Sequence, residues 1–230
     1  MLRLYIGNKN YSSWSLRPWI LLRQLNIPFE EKLTPFGNIN GTSAFSEFSP
    51  TGRVPCLEDD GLTVWDSLAI VEYISEMDKA VWPARREARA WARSVAAEMH
   101  SGFPHIRNVC TMNCGLRIKL SQWTSALLSE WRRLDDIWCE GLSRFGGPFL
   151  AGEQFTAVDA FFSPVAFRVQ TYSPQLSRTA EEYIQRLLRL PYMLNWYESA
   201  LREEWRDEEH EQEAREAGIW LQDLRRDAVL

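Results

Sequence analysis

The stretch that decides the fold is Ser49-Pro50-Thr51-Gly52-Arg53-Val54-Pro55-Cys56-Leu57-Glu58-Asp59-Asp60-Gly61-Leu62-Thr63-Val64-Trp65-Asp66-Ser67-Leu68-Ala69-Ile70. It reads as a hairpin running directly into a helix. Val54 to Leu57 is a short apolar strand, and Leu62 to Trp65 is its return. Asp59-Asp60-Gly61 is the turn, because glycine takes positive φ without steric cost. Asp66-Ser67 opens a helix whose apolar positions recur at Leu68, Val71 and Ile74. Pro55 removes a backbone donor at a strand start, a position suited to a cis bond. Asp66 and Ser67 set a carboxylate and a hydroxyl beside the unpaired N–H groups of a helix N-terminus, a natural anion site.

Upstream, Leu2 to Ile6 alternates apolar and polar residues and reads as a strand. Leu16, Trp19, Ile20 and Leu22 mark a helix from Ser15 to Leu25, ended by Asn26-Ile27-Pro28, and Phe29 to Leu33 is a second strand. This β-α-β unit favours a parallel pair with a helical crossover. A polar loop follows from Thr34 to Ser49, with a short helix near Ser43 to Phe48. The order β-α-β-α-β-β-α predicts a thioredoxin-like α/β domain over residues 1–78.

Residues 79–86, with Trp82-Pro83, read as a linker, and 87–230 as an all-α domain with an acidic C-terminal tail. Ala88, Trp91, Ala92, Val95, Ala96 and Met99 trace one long helix. Leu116, Leu120, Trp123, Leu127, Trp131, Leu134 and Trp138 step by three or four and predict one amphipathic helix. Gly146-Gly147-Pro148 breaks the chain. Thr156 and Asp159 have capping-box spacing. The nearly all-apolar Ala160 to Val169 then predicts a buried central helix, bent at Pro164.

The chain has 230 residues and a net charge of −5, which argues against nonspecific nucleic-acid binding. Nine acidic residues and three Arg between Glu198 and Glu216 give a local −6, so the rest of the chain is near neutral. That segment reads as a solvated face or frayed tail. Eleven Trp suit helix interfaces. Cys56, Cys110, Cys114 and Cys139 lack metal or redox spacing and read as reduced thiols of a cytoplasmic protein. The sequence opens on strand-like Leu2, Leu4 and Ile6 without a leader, and no apolar run reaches membrane-spanning length.

The ordered set Val54-Pro55 and Asp66-Ser67 resembles the glutathione-binding half of the glutathione transferase family, and the capped central helix resembles that family's helical domain. The resemblance implies glutathione as co-substrate. The Val54 backbone would pair with its cysteinyl part, and Asp66 and Ser67 would hold its γ-glutamyl end. A carboxylate suits the ammonium there, and a helix N-terminus with a hydroxyl suits the carboxylate. Arg53 would pair with the glycyl carboxylate or remain a solvated loop arginine.

In this family the reactive sulfur belongs to glutathione. A free thiol titrates near ~8.5, so the protein must stabilise the thiolate, and each unit of lowering is worth about 1.4 kcal/mol. Tyr11-Ser12-Ser13-Trp14-Ser15-Leu16-Arg17 resembles the Ser-Ser-Cys-x-x-Arg run of the zeta class and the Ser-Pro-Phe-x-x-Arg run of plant classes. Aligning on Arg17 puts Ser12 at the catalytic serine, with Ser13 beside it. Ser13 or Ser15 could instead donate, Ser15 could serve as the helix N-cap, and Tyr5 or Tyr11 could mimic the tyrosine of other classes. Trp14 replaces the zeta cysteine, which disfavours thiol–disulfide exchange and reductive dehalogenation.

The acceptor pocket is expected to involve Tyr11, Trp14, His100 and Arg107, with Met112 and Asn113 within reach and His105 at the surface. The functions implied are conjugation of glutathione to a small electrophile or a zeta-like, glutathione-dependent isomerisation. The alternative is a non-catalytic binding or regulatory module on the same fold. A homodimer is implied; a metal, a nucleic acid and a membrane are not.

Overall fold

The computed structural model describes residues 1–39 and 42–225. Residues 40–41, inside the loop expected from Thr34 to Ser49, and 226–230, at the end of the helical domain, lie outside the described residues. The first half contains β1 (Arg3–Ile6), α1 (Ser13–Gln24), β2 (Glu30–Leu33), a small hairpin of β3 (Asn38–Ile39) and β4 (Thr42–Ser43), β5 (Cys56–Asp59), β6 (Leu62–Trp65) and α2 (Ser67–Met77). The main sheet has the order β2-β1-β5-β6. β1 runs parallel to β2, with Arg3 opposite Glu30 and Ile6 opposite Leu33. It runs antiparallel to β5, and β5 pairs β6 through Cys56 opposite Trp65. Alternation along β1 buries Leu4 and Ile6 and leaves Arg3 outside, ion-paired to Glu58 at 2.6 Å. β5 opens at Cys56, one residue beyond Pro55, which has no N–H for the ladder. The Val54–Pro55 bond is cis.

The remainder is mostly helical: α3 (Arg86–Ser101), α4 (Pro104–Val109), α5 (Ser125–Phe145), α6 (Ala157–Tyr172), α7 (Arg178–Leu188), α8 (Pro191–Arg202) and α9 (Glu208–Ala217). α6 is the buried axis, packed against α1, α3 and α7. Trp19, Trp131, Trp138 and Trp196 are fully buried, so these indoles fill the core between helices.

Two readings of the second half change. The single helix expected from Leu116 to Trp138 is a strand followed by a helix. β7 (Leu116–Leu120) buries Leu116, Ile118 and Leu120 in alternation, and α5 starts only after Thr124, whose Oγ1 accepts from Leu127 N at 3.2 Å. Leucines four apart fit either period, and the strand is decided by a distant partner. That partner is β8 (Gly218–Asp223), antiparallel to β7 from Leu116 opposite Asp223 to Leu120 opposite Gly218. A Cβ at residue 218 would overlap the Lys119 carbonyl, so only glycine fits this crossing. The acidic segment from Glu198 to Glu216, read as a solvated face or frayed tail, is the end of α8, a short connection and α9, and β8 follows it.

Asp159 sets the start of α6. It completes the capping box with Thr156, and its carboxylate also accepts from Leu150 N and from the Tyr183 hydroxyl, both at 3.0 Å. It is fully buried, and burial outweighs these bonds and pushes its carboxyl up to about 6. The folded state therefore keeps a proton that the unfolded chain has released, and the contribution of Asp159 to stability declines as pH rises from 3.8 to about 6. Asp159→Ala, which strands the donors Leu150 N, Thr156 N, Thr156 Oγ1 and Tyr183 OH, should lose about 3 kcal/mol in urea unfolding at neutral pH. It should also flatten the pH–stability curve between about 4 and 6; an unaltered curve would contradict this assignment.

Candidate active site

Two helix N-termini meet in one cleft. The first is that of α1. Its entry loop is held by Ser12 N donating to Asn8 O at 2.8 Å, and by the Ser15 hydroxyl, which accepts from Gly7 N at 3.2 Å and from Ser12 Oγ at 2.7 Å. Ser12 stands at the N-cap position and Ser13 begins the helix; both are largely buried. The Ser13 hydroxyl has no hydrogen-bond partner among the described residues and lines a cavity.

The second is that of α2. Asp66 has φ of 73°, a sparsely populated conformation for a non-glycine residue that costs about 1–3 kcal/mol. The return is a cap: Asp66 Oδ1 accepts from Leu68 N at 2.8 Å and Ala69 N at 3.3 Å, leaving Oδ2 3.4 Å from His100 Nε2. Arg17 ties the two helices together. Its guanidinium lies between the rings of Trp14 and Phe161, at 4.1 and 4.9 Å, and donates to Ser67 Oγ at 3.2 Å. Burial, and then Arg107 and Arg168, work against its charge, while Asp66 supports it. Burial likewise lowers His100, so the ring favours its neutral form.

Two adjoining cavities share Trp14, Arg53 and Val54. The smaller, about 400 Å³, adds Thr51, Pro55, Trp65, Asp66 and Ser67. The larger, about 460 Å³, is lined by Tyr11, Ser12 and Ser13 on one side and by Arg107, Thr111, Met112 and Arg168 on another. Phe36 and Phe45 also line it. Arg107 donates to the carbonyls of Met99 and Gly102, and burial followed by the charge of Arg168 lowers it to about 10. None of the four cysteines lines either cavity, and burial pushes Cys56 up to about 11 and Cys110 up to about 12. A reactive thiolate here has to come from a ligand.

The helical domain clamps the loop that enters α1. Glu203, buried just after α8, accepts from Lys9 N at 2.5 Å and Asn10 N at 3.1 Å. The Trp196 indole donates to Lys9 O at 2.8 Å. The Tyr11 hydroxyl donates to Glu211 of α9 at 2.6 Å, and Glu211 is in turn held by Arg225. Asp223 also binds Arg225, and a Cβ on Gly115 would overlap the arginine side chain, so glycine makes room for this tether. Burial and the Glu211 bond raise the Tyr11 phenol, which keeps its proton directed at the carboxylate.

Tyr11, Ser12, Ser13, Trp14, Arg53, Val54 and Arg107 all line the larger cavity, and Trp14, Arg53, Val54, Asp66 and Ser67 the smaller. His100 lines neither: it contacts Asp66 and the Trp14 edge, behind both. His105 is exposed and paired with Glu130 at 2.8 Å, and Tyr5 donates to Glu58. Sequence reading did not anticipate Arg168 or the α9 residues Glu209, His210 and Glu213, which with Asp207 complete the larger cavity. A lone arginine in an otherwise apolar helix was the available signal for Arg168.

Residues 11–77 match the glutathione S-transferase N-terminal domain and residues 121–199 its C-terminal domain, together more than half of the chain. The chain belongs to the glutathione S-transferase family. It is 24% identical over 180 residues to the maleylacetoacetate isomerase of Mus musculus, covering 76% of this chain and 81% of that protein. A dichloromethane dehalogenase of Methylophilus leisingeri is 45% identical over 53 residues, 22% of this chain and 20% of that one. A glutathione transferase homologue from Burkholderia gl BGR1, solved with bound glutathione, superposes with a TM-score of 0.65 at 23% identity, covering 86% and 97% of the two chains. No described helix is long and apolar enough to cross a membrane.

The Glu203 clamp is open to direct test. Glu203→Ala leaves two buried N–H groups unpaired, a loss of about 2 kcal/mol that should speed amide exchange at Lys9 and Asn10 roughly thirtyfold. Exchange measured by NMR should leave Leu4 and Ile6 in β1 unaffected. Equal protection of Lys9 and Asn10 in the variant would contradict the clamp.

Proposed function

We propose that the protein is a glutathione-dependent enzyme that brings the thiolate of glutathione to an electrophilic carbon. The observation that carries this is the meeting of two helix N-termini in adjoining cavities: one bearing Ser12 and Ser13, the other Asp66 and Ser67, with Val54 on the wall between. In this reading Asp66 Oδ2 takes the γ-glutamyl ammonium. The Ser67 hydroxyl and the α2 N-terminus take the adjacent carboxylate. The Val54 backbone faces the cysteinyl unit, and Arg53 faces the glycyl carboxylate.

The sulfur then lies at the start of α1, where two hydroxyls and the helix dipole favour the thiolate. Ser12 supplies the first donor by turning from Ser15; the Ser13 hydroxyl has no such bond to give up. Trp14, Arg107, Thr111, Met112 and Arg168 line the acceptor end. Two reactions fit this arrangement. In conjugation, a C–S bond forms while the leaving group departs with its electron pair. In isomerisation, the thiolate adds to a C=C bond, rotation follows, and elimination returns it. The likeness to maleylacetoacetate isomerases supports the second, and the broad, mixed cavity supports the first.

The reading extends to a cytoplasmic homodimer. The edge strand β6 leaves Leu62 and Trp65 exposed on its two faces, an edge suited to a second copy. Four free thiols, three of them buried, suit a reducing compartment.

Turnover of chlorodinitrobenzene with glutathione tests this directly. Ser12→Ala should lower kcat/KM about tenfold or more, a loss of roughly 1.4 kcal/mol, and should move the rising limb of its pH profile upward. Ser13→Ala should have a smaller effect in the same direction. Full activity in both variants would overturn the assignment, and an inactive wild-type protein that still binds glutathione would favour a binding module.

A further inference from the structure

The larger cavity is lined by opposed charges. Arg53, Arg107 and Arg168 line it together with three carboxylates, Asp207, Glu209 and Glu213. Most acids of α9 and its cap already have partners. Asp207 caps the helix and binds His210 Nδ1 at 2.6 Å, Glu208 pairs with Arg215, Glu211 is held by Arg225 and Tyr11, and Glu216 accepts from Gln212. Glu209 has no such partner among the described residues either, but it is exposed; Glu213 is different. It is half-buried, lines the cavity, and has neither a hydrogen bond nor an ion pair among the described residues.

The complementary group is Arg168, contributed by α6. It is 4% exposed and donates through one terminal nitrogen to the Cys110 carbonyl, while its Nε has no hydrogen-bond partner among the described residues. Arg168 and Glu213 line the same cavity without reaching the 4.0 Å of an ion pair, and His210, Glu209 and Asp207 are the nearer charges around Glu213. A buried cation and a half-buried anion bordering one cavity, each without an ion-pair partner among the described residues, form a dipolar slot. Its best occupant presents an anion to one end and a cation to the other. His210, stacked on Tyr11 and tilted against Phe36 with both ring centroids at 5.0 Å, fixes the face of α9 that carries Glu213. An acceptor with two carboxylates would set its second charge against Glu213.

We propose that the acceptor end of the cavity selects electrophiles with an amino-acid-like pair of charges, the carboxylate against Arg168 and Arg107 and the ammonium against Glu213, which makes Glu213 a specificity-determining residue. This rests on the glutathione-transfer reading above. The reaction is aromatic or aliphatic substitution: the glutathione sulfur bonds to the carbon that bears the halide, the halide leaves with the electron pair, and the thiol proton passes to solvent.

The test is a matched series on one reactive ring: an alanine carrying a chlorodinitrophenyl group, the propanoic acid that lacks its amine, and the ethylamine that lacks its carboxylate. Unsubstituted chlorodinitrobenzene serves as the reference. The wild-type protein should show a kcat/KM for the amino acid about tenfold above those of both truncated compounds, because a site built to pair a polar group rejects analogues lacking it. In Glu213→Gln, checked for folding by its thermal melt, the preference over the deaminated acid should collapse to near unity. Equal turnover of all three by the wild type, or an undiminished preference in Glu213→Gln, would overturn the proposal while leaving glutathione transfer intact. No turnover even of the reference compound would overturn the transfer reading and this inference with it.

Discussion

One buried carboxylate holds the loop on which the rest of the site depends. Glu203 takes the N–H groups of Lys9 and Asn10, and Trp196 takes the carbonyl between them. These three bonds join the end of α8 to the entry of α1, a sequence separation of about 190 residues. The hydroxyls of Ser12 and Ser13 hang from that loop, so their placement is set by the helical domain as much as by the sheet that carries them. Burial raises the Glu203 carboxyl to about 7, and the two backbone bonds and Lys9 oppose that rise. The bonds are what make the burial of a charged group tolerable.

A second brace acts between the two helix starts. Arg17 is buried without a carboxylate of the described residues in ion-pair range; it lies between two aromatic faces and contacts Ser67 and His100. Cation–π contacts are weak individually, on the order of 1 kcal/mol, but here they fix the plane from which Ser67 is oriented. The strained backbone of Asp66 serves the same end, aiming one carboxylate oxygen at its helix and freeing the other. Three arginines near one cleft repel each other, and no carboxylate among the described residues pairs with Arg17, Arg107 or Arg168. The site is thereby predisposed to negative charge, and α9 tempers it with Glu213.

Much of this was legible locally. The hairpin, the Pro55 position, the Asp66-Ser67 helix start and the Thr156–Asp159 box are all written within a few residues of one another, and short-range chemistry decides them. The β7–β8 pair was not legible, because Leu116 and Leu120 satisfy a helical period and the strand that overrules it lies about a hundred residues away. The acidic run from Glu198 to Glu216 looked solvated because composition does not report which carboxylates point inward. Only the fold distinguishes Glu203, Glu211 and Glu213 from Glu204, Glu208 and Glu216. Arg168 and Glu213 come from segments 45 residues apart, and the fold, with α9 packed on β7 and β8, brings them to one cavity.

The central claim is that Asp66, Ser67 and the serine pair of α1 form one site for glutathione. A thermal melt of the full chain against rising glutathione, with Ser67→Ala in parallel, tests it most directly. Ligand that binds only the folded state must raise the melting temperature, by about 2.7 kcal/mol of added stability at a hundredfold excess over Kd. The account predicts a dose-dependent rise in the wild type that Ser67→Ala largely abolishes. An unchanged melting temperature at millimolar glutathione, or an equal rise in the variant, would contradict it.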